Sequence, residues 1–546
     1  MVRRLLLLVL LIFASPVWAK DQLVLGMASA PGSMHPMINS MLAKSVILAM
    51  TGRPISAYDA NWKLVCFACT VLPTVDNGKA RVIDLPDGKK GMAIDVELKP
   101  MVWGDGKPVT ARDYEFAVEV GKHPQSGVAS TEDYRRMVKF DIKDDLHFTI
   151  TMDRVTFDYN ALAFRPMPAH IEKPIFEANP AEYRNKTAYD TEPTNPGLSS
   201  GPFRIVELVR GSRIVLEQNP YWTGQKPYFK RIVIKIFENS SALEANLLSG
   251  NVDYILGEVG LSLDQSLAFE KRHGDKFNVV FRPSLSYAHI DVKLDNPLLS
   301  DVRVRRAILM SIDRKSISDT LFAGKQPVAD SDVNPLDAMY SKAARHYAYD
   351  PAAAKKLLGE AGFGELKNGV RQNAKGERLS IELAFASGNR VLEQLSQVMQ
   401  SQLKQVGIDL RLKAAPARIY FDALTKRDFS GLAMYSWVSS PESVPRTTLH
   451  SKEIPTKENG RSGQNYPGYS NPQMDKALDS AERELDEGKR REYFAIIQRL
   501  YTEDLPVLPM YFRVDSFVIP KKLKGVVPTG HQFSSTLWIE TWRWED

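Results

Sequence analysis

The sequence predicts an α/β fold that comprises more than one domain. The chain has 546 residues, far more than one ordinary domain, so two or three domains are expected. Residues 379–412 read as an alternating strand, a helix with one apolar face and a second alternating strand. Such a unit implies a right-handed crossover between parallel strands. Residues 286–314 show the same change from strand to helix, so both stretches indicate alternating strands and helices.

The first nineteen residues have the pattern of a cleavable export signal. Arg3 and Arg4 form its basic segment, residues 5–14 form an apolar core, and residues 17–19 form a cleavage site. The apolar core is ten residues long, which is too short to span a bilayer. A lipoprotein would need cysteine where Lys20 stands. We therefore expect a protein that is free in the periplasm.

The charge and composition exclude several partners. Removing the signal takes two of the 71 Lys and Arg and leaves 69 against 65 acidic residues, a net charge of +4. Spread over so long a chain, this charge favours neither nucleic acid nor an anionic membrane surface. The nine histidines are scattered without the spacing of metal ligands. No metal site and no cofactor are predicted.

The two cysteines, Cys66 and Cys69, are predicted to form a local disulfide. An exported protein meets an oxidising compartment, in which paired thiols are oxidised. The bond would close a very short loop, so its entropic benefit should be small. Thr70 follows Cys69, which excludes a haem attachment motif, and the chain has no second cysteine pair for a zinc site.

A strand, a tight turn and the start of a helix are predicted after this cysteine pair. Residues 92–98 alternate between apolar and polar side chains, and Asp105-Gly106 is a typical turn pair. Thr110 should cap the helix, with Asp113 three residues on as its partner in a capping box. We expect these residues to have a structural role, so they are not site candidates.

Residues 197–201 satisfy the G-x-S-x-G pattern of serine hydrolases. In those enzymes the serine follows a strand and precedes a helix. Here a proline-rich loop precedes Ser199, and residues 203–208 and 213–217 read as strands. The context therefore predicts that Ser199 is not catalytic, and a secreted hydrolase is the rival hypothesis from another functional class.

The strand predicted at residues 287–292 is followed by a break at 296–297 and then by a helix. Asp301 is placed to meet the positive end of this helix, and Arg314 is placed near its negative end. The apolar residues of the helix recur four positions apart, on one face: Val304, Ile308 and Ile312.

The remaining chain continues as strands and helices. Asp350 should cap a helix that has proline at its first position, and Gly362 should end it. Another helix is expected to open at residues 471–472. Residues 506–519 then read as a strand that returns to the first part of the molecule.

Several motifs, in order, resemble one protein family. They are W-x-D-G-x-P-x-T-A-x-D-x-x-F at 103–116, G-P-F-x-I at 201–205 and D-x-R-V-R-R-A-I at 301–308. They resemble the large periplasmic solute-binding proteins of ABC importers, the peptide-, opine- and nickel-binding family (family 5). The resemblance covers essentially the whole mature chain. It implies a periplasmic binding protein type II-like fold, with two α/β lobes, a hinge-flanked cleft and an extra subdomain in lobe I.

The resemblance also implies a division of the chain and a set of partners. The ligand would be a peptide or another small solute, and the partners would be an inner-membrane ABC permease with its ATPase subunits. The protein would act as a monomer without a catalytic group; presentation of the closed form to a sensor is the alternative. The expected segments are the signal peptide at 1–19, lobe I at 20–51, its inserted subdomain at 52–196, its second part at 197–285, lobe II at 286–505 and the return to lobe I at 506–546.

The family also implies where the ligand would lie. In its peptide binders a run resembling W-x-x-D-Y-P-D-P faces the cleft, and its Asp pairs with the α-ammonium of the peptide. Here Trp437 is in place, but Ser440 stands at the position of that Asp. Removing one partner of such a buried pair costs roughly 3–5 kcal/mol, so Glu442 becomes the candidate substitute.

An oligopeptide is the ligand that the family favours, and an opine, a glycan fragment or another amphiphilic solute is the alternative. The predicted substrate-binding residues are Met34, Tyr287, His289, Tyr435, Trp437, Ser439, Ser440, Glu442 and Tyr466.

Overall fold

The computed structural model describes residues 21–38, 41–129, 131–459, 461 and 463–545. The predicted export signal therefore lies outside the described residues. Within these ranges no helix combines the length and the apolar character that crossing a bilayer requires.

Strands and helices alternate along most of the described chain. The first part contains β1 (Gln22–Met27), α1 (Leu42–Thr51), β2 (Ser56–Tyr58), β3 (Leu64–Cys66), β4 (Ala80–Asp84), β5 (Lys90–Glu97), α2 (Ala111–Lys122), α3 (Glu132–Arg135), β6 (Met137–Ile142), β7 (His147–Met152), α4 (Ala169–Ala178), α5 (Tyr183–Lys186), α6 (Ala188–Thr191), β8 (Phe203–Val209), β9 (Arg213–Gln218), β10 (Arg231–Ile236), α7 (Ser240–Leu248), β11 (Tyr254–Ile255) and α8 (Leu263–His273).

The second part contains β12 (Phe277–Val292), α9 (Pro297–Ser300), α10 (Val302–Met310), α11 (Arg314–Phe322), α12 (Pro351–Glu360), β13 (Glu365–Lys367), β14 (Val370–Gln372), β15 (Ser380–Ala386), α13 (Arg390–Gln405), β16 (Asp409–Ala415), α14 (Ala417–Thr425), β17 (Leu432–Val438), α15 (Arg446–Leu449), α16 (Pro472–Arg483), α17 (Glu487–Asp504), β18 (Val507–Pro520), β19 (Leu523–Lys524) and β20 (Arg543–Trp544). Short 3₁₀ turns occupy Pro196–Leu198, Gly257–Val259, Ser451–Glu453 and Ser535–Thr541.

The first lobe is built on a mixed sheet with the strand order β11-β1-β10-β9-β8. β1 runs parallel to β10 and β11, whereas β9 is antiparallel to both of its neighbours. Leu25 of β1 and Ile234 of β10 are fully buried, together with Ile47 of α1. These side chains form one apolar core, which also includes Trp542 near the C-terminus.

A smaller antiparallel sheet, β4-β5-β7-β6, forms a separate subdomain. Its core includes Trp103, Tyr114 and Phe148, which are all nearly inaccessible to solvent. The predicted capping box at the start of α2 is confirmed, because the side chains of Thr110 and Asp113 each bond to the backbone of the other residue. These two residues therefore fix the start of α2, which packs in the subdomain core.

The second lobe is built on the sheet β16-β15-β17-β12-β18. β15 and β16 pair in parallel and are joined by α13, which confirms the predicted β-α-β unit. β12 is antiparallel to both β17 and β18. Ile290, Leu383 and Leu508 come from three of these strands and meet in one fully buried core.

The predicted helix after residue 301 is shorter than expected. Asp301 accepts a hydrogen bond from the backbone N–H of Arg303 at 2.8 Å, as a helix cap should. The helix α10 ends at Met310, however, because Asp313 caps a new helix, α11. Ile312 therefore lies outside α10. Arg314, predicted near the negative end of this helix, is instead the first residue of α11, and its guanidinium donates hydrogen bonds to buried carbonyl groups.

β12 and β18 pass together from one lobe to the other. They pair antiparallel, and their register shifts between residues 283 and 287, which marks a bulge midway along the pair. At one end of β18, Leu508 and Met510 belong to the second core. At the other end, Phe517 and Ile519 belong to the first core. The return strand thus makes its strand hydrogen bonds in the second sheet and contributes side chains to both lobes.

Cys66 and Cys69 are joined by a disulfide, with Cα atoms 5.4 Å apart. We expect the double substitution Cys66→Ala/Cys69→Ala to lower the free energy of unfolding by about 2 kcal/mol or less, because the bond closes only a short loop. Urea unfolding of the oxidised wild type and of the variant measures the difference. A much larger loss of the free energy of unfolding would show that the disulfide orders more of the subdomain than the loop that it closes.

Candidate functional site

A cavity of about 100 Å³ lies beside the central strands of the second sheet. Its lining comes from residues 285–507, so the second lobe forms its walls. The first lobe reaches its rim, where the Gln532 side chain donates a hydrogen bond to the Ser440 hydroxyl at 2.5 Å. The cavity therefore lies in the second lobe, at an edge that the first lobe contacts.

Two paired strands supply one wall of the cavity. Tyr287, His289 and Asp291 alternate along β12, so their side chains point to the same face of the sheet. On the neighbouring strand β17, Trp437 lies opposite Tyr287 and Tyr435 lies opposite His289. All five side chains line the cavity.

Hydrogen bonds and ring contacts order this wall. The Tyr435 hydroxyl donates to an Asp291 carboxylate oxygen at 2.8 Å. The Tyr287 and Tyr501 hydroxyls lie 2.7 Å apart, within hydrogen-bond distance. The rings of His289 and Tyr435 meet edge to face, with centroids 4.3 Å apart. The aromatic side chains are thus held in fixed orientations before any ligand arrives.

Burial controls the charge of the wall. It raises the pKa of Asp291 to about 7, although the hydrogen bond from Tyr435 partly opposes that rise. It lowers the pKa of His289 to about 4. His289 is therefore neutral at pH 7, and its ring nitrogen, 3.5 Å from the Asp291 carboxylate, does not form an ion pair with it.

The lining also includes two aspartates from the segment between α11 and α12, Asp332 and Asp337. Asp337 accepts backbone hydrogen bonds from Met339 and Glu442, at 2.9 and 2.8 Å. Sequence reasoning missed both of these residues and also Asp291. The period-two pattern of β12 could have found Asp291, but Asp332 and Asp337 lie in an irregular segment with no periodic signal.

The structure brings six of the nine predicted substrate-binding residues to this cavity. They are Tyr287, His289, Tyr435, Trp437, Ser439 and Ser440.

Met34, Glu442 and Tyr466 are not among the lining residues. Met34 is buried in the core of the first lobe. The Glu442 carboxylate is engaged by Arg490 at 3.0 Å, and its backbone adopts the left-handed region with φ of 57°. Tyr466 packs behind Tyr435, with ring centroids 6.5 Å apart.

The lobes also meet at a cluster around Glu482 of α16. Its carboxylate oxygens lie 3.5 Å from a guanidinium nitrogen of Arg136 and 3.5 Å from one of Arg154, both in the subdomain. The Phe157 backbone N–H donates to the Glu482 carbonyl at 2.9 Å, and the Arg490 guanidinium covers the Phe157 ring. Burial raises the pKa of Glu482, while the arginines oppose that rise. This cluster joins the subdomain to the second lobe.

The chain is similar to known solute-binding proteins. The family model described as bacterial extracellular solute-binding proteins, family 5 Middle, matches residues 89–455. Oligopeptide-binding protein AppA of Bacillus subtilis is 27% identical over 453 residues, which are 80% of this chain and 78% of that protein. Oligopeptide-binding protein OppA of Bacillus subtilis is 23% identical over 535 residues, covering 94% and 91% of the two chains.

Solved structures share the fold. The oligopeptide-binding protein of Thermus thermophilus, complexed with a pentapeptide, superposes with a TM-score of 0.83 at 26% identity and 96% coverage of both chains. NikZ of Campylobacter jejuni, in complex with Ni(L-His), gives a TM-score of 0.79 at 22% identity, with 96% and 99% of the two chains covered. These likenesses confirm the predicted two-lobed, periplasmic binding protein type II-like fold.

Proposed function

This chain belongs to the family 5 bacterial extracellular solute-binding proteins, and from that premise we propose that it captures a peptide or peptide-like solute for an ABC importer. The observation that carries the proposal is the cavity, which is lined by ordered aromatic and polar side chains at an edge of the second lobe that the first lobe contacts. Trp437 and Tyr435 offer flat apolar walls to such a ligand. Serine hydroxyls at positions 439 and 440 offer polar contacts.

The mechanism requires binding and closure but no chemical step. Two lobes joined by a pair of strands can close around a ligand by a hinge motion. The ligand stabilises the closed form only by its difference in affinity for the two forms. Ser199 lies between a 3₁₀ turn and the strand β8, with no helix after it, so a hydrolytic role receives no support from its surroundings.

We infer that the partner of the closed form is a membrane permease with its ATPase subunits, and that the protein works as a monomer in the periplasm. A sensor is the alternative partner for the same closed form. An adjacent operon that encodes a permease and an ATPase would favour the importer.

Native mass spectrometry of protein freshly purified from a periplasm tests the proposal. We expect co-purified peptides or related solutes, and a raised melting temperature when they are added back. At a hundredfold excess over the dissociation constant, binding to the native form alone stabilises it by about 2.7 kcal/mol.

The variant Trp437→Ala should lose at least about tenfold in affinity for the co-purified solute, because a large aromatic contact is removed. Trp222→Ala, a partly buried tryptophan outside the cavity, is the matched control and should retain the affinity. Protein that binds no solute, or a Trp437→Ala variant that binds as tightly as the control, would count against capture in this cavity.

A further inference from the structure

The charged groups that line the cavity are all acidic. Asp291, Asp332 and Asp337 face it, and no Lys or Arg is among the described residues that line it. His289 is the remaining titratable base of the lining, and it is neutral at pH 7 because burial lowers its pKa to about 4. The cavity therefore holds carboxyl groups without any compensating cation of its own.

Asp332 differs from the other two aspartates in its hydrogen bonding. Asp337 is occupied by two backbone N–H groups, and Asp291 accepts from Tyr435. Asp332 is half-buried in the cavity wall, and its Oδ1 atom is buried without a hydrogen bond from any described group. A buried carboxylate oxygen without a donor is costly, so its partner is expected to come from outside the chain.

On the basis of the proposed function, we propose that Asp332 anchors an ammonium group of the ligand and that this cavity selects amines over free carboxylates. An alkylammonium carries three donors and one positive charge, and it would satisfy the Oδ1 atom of Asp332. A ligand carboxylate would instead meet three acidic groups and no cation.

This assignment also accounts for Ser440. The hydroxyl of Ser440 bonds to Gln532, and the Glu442 carboxylate bonds to Arg490, so neither supplies a free negative charge to the cavity. Asp332 supplies the charge from a different segment, between α11 and α12. The ligand amine would then sit against the irregular segment and not against the loop that follows β17.

The pH dependence follows from the surroundings of Asp332. Burial raises its pKa to about 6, and the nearby Asp337 acts in the same direction. The other titratable groups that face it are Tyr287 on β12 and Tyr501 on α17, both neutral at pH 7 because burial raises each pKa. An ammonium favours the charged carboxylate, so its affinity should rise from pH 5 to pH 7.5, with proton release near pH 6. Asp291 adds to this rise, because burial raises its pKa to about 7 and it lines the same cavity. The affinity for a peptide should fall above about pH 8, where its α-amine loses the proton.

Calorimetric titration of the full mature chain with defined probes tests the proposal. The probes are trialanine, N-acetyl-trialanine, trialanine amide and the non-peptide diamine cadaverine. We expect trialanine amide to bind at least as tightly as trialanine, and N-acetyl-trialanine to bind about 100-fold more weakly or worse. Cadaverine distinguishes the two sources of an amine. If cadaverine binds, the site accepts amines in general; if cadaverine does not bind while trialanine does, the site is specific for a peptide N-terminus.

Asp332→Asn keeps the shape of the side chain and removes its charge. We expect it to abolish the preference for free amines over the acetylated probe. The rise in affinity between pH 5 and pH 7.5 should shrink to the part that Asp291 contributes. Asp515→Asn is the matched control, because burial likewise raises the pKa of Asp515 to about 6 and this residue lies outside the cavity lining. The control should keep both the preference and the pH dependence.

Equal binding of the free and acetylated probes, an unchanged preference in Asp332→Asn, or no response of the wild type to any amine would overturn the proposal. If Asp332→Asn does not fold, the wild-type comparison of trialanine with N-acetyl-trialanine decides the matter. A co-purified solute without an amine would overturn the assignment of Asp332 and leave solute capture standing. If no solute were bound at all, the proposed function would be contradicted as well.

Discussion

Glu482→Ala is expected to shift the protein towards an open form and to weaken ligand binding by about 100-fold. Glu482 is buried and lies between arginines of the subdomain, Arg136 and Arg154, and Arg446 of the second lobe. Removing one partner from a buried charge cluster costs roughly 3 kcal/mol, since the remaining charges lose their compensation. The cluster joins the subdomain to the second lobe. We therefore expect the cost to fall on the closed form, in which the subdomain and the second lobe are in contact.

Small-angle X-ray scattering measures the change as a larger radius of gyration in the variant than in the wild type at equal ligand saturation. The matched control is Glu487→Ala, which removes an exposed carboxylate whose ion pair, among the described residues, is with Arg491 of its own helix. The control should scatter like the wild type. A Glu482→Ala protein with wild-type scattering and wild-type affinity would show that closure does not depend on this cluster.

Phe517→Ala is expected to destabilise the first lobe by roughly 3–5 kcal/mol, the cost of emptying a large buried aromatic site. Phe517 is fully buried on the second half of β18 and packs into the core of the first lobe. Its ring lies directly against Gly257, which leaves no room for a side chain there and indicates tight packing. A loss of this size would indicate that the second half of β18 belongs to the first lobe, as predicted for the return segment at 506–546.

Guanidinium unfolding followed by tryptophan fluorescence measures this loss, and separate transitions for the two lobes are analysed separately. Phe421→Ala is the control, because Phe421 is 44% exposed on α14. A transition of the first lobe that is unchanged in Phe517→Ala would contradict the role of β18 in that core.

The elements that were predicted correctly are determined by residues that lie close together in the sequence. The capping box of Thr110 and Asp113 and the β-α-β unit at residues 379–412 both need only local signals, namely helix caps and apolar periodicity. The prediction that the helix continues to Ile312 was wrong for a local reason too, because Asp313 caps the start of a new helix, α11.

The candidate site was less accessible to sequence reasoning because its contacts are long-range. Glu442 has the residue type of a ligand partner, but Arg490, 48 positions away, occupies its carboxylate. Asp332 carries no periodic or motif signal, and only the folded chain shows that its Oδ1 atom has no donor among the residues that the structure describes. The aromatic residues were found because the family resemblance and the strand pattern point to the same side chains.

The return of the chain to the first lobe has a consequence for the order of folding. The hydroxyl of Thr536 donates to the carbonyl of Val46, which joins groups 490 positions apart, and Trp542 fills the same core. The lobe that begins first along the chain is thus completed last, whereas the second lobe lies almost wholly in an uninterrupted stretch. Contacts this distant form only after the intervening chain is in place, which makes their formation slow. A chain that lost its last forty residues would lack these core side chains, so only an intact chain can build a lobe able to close.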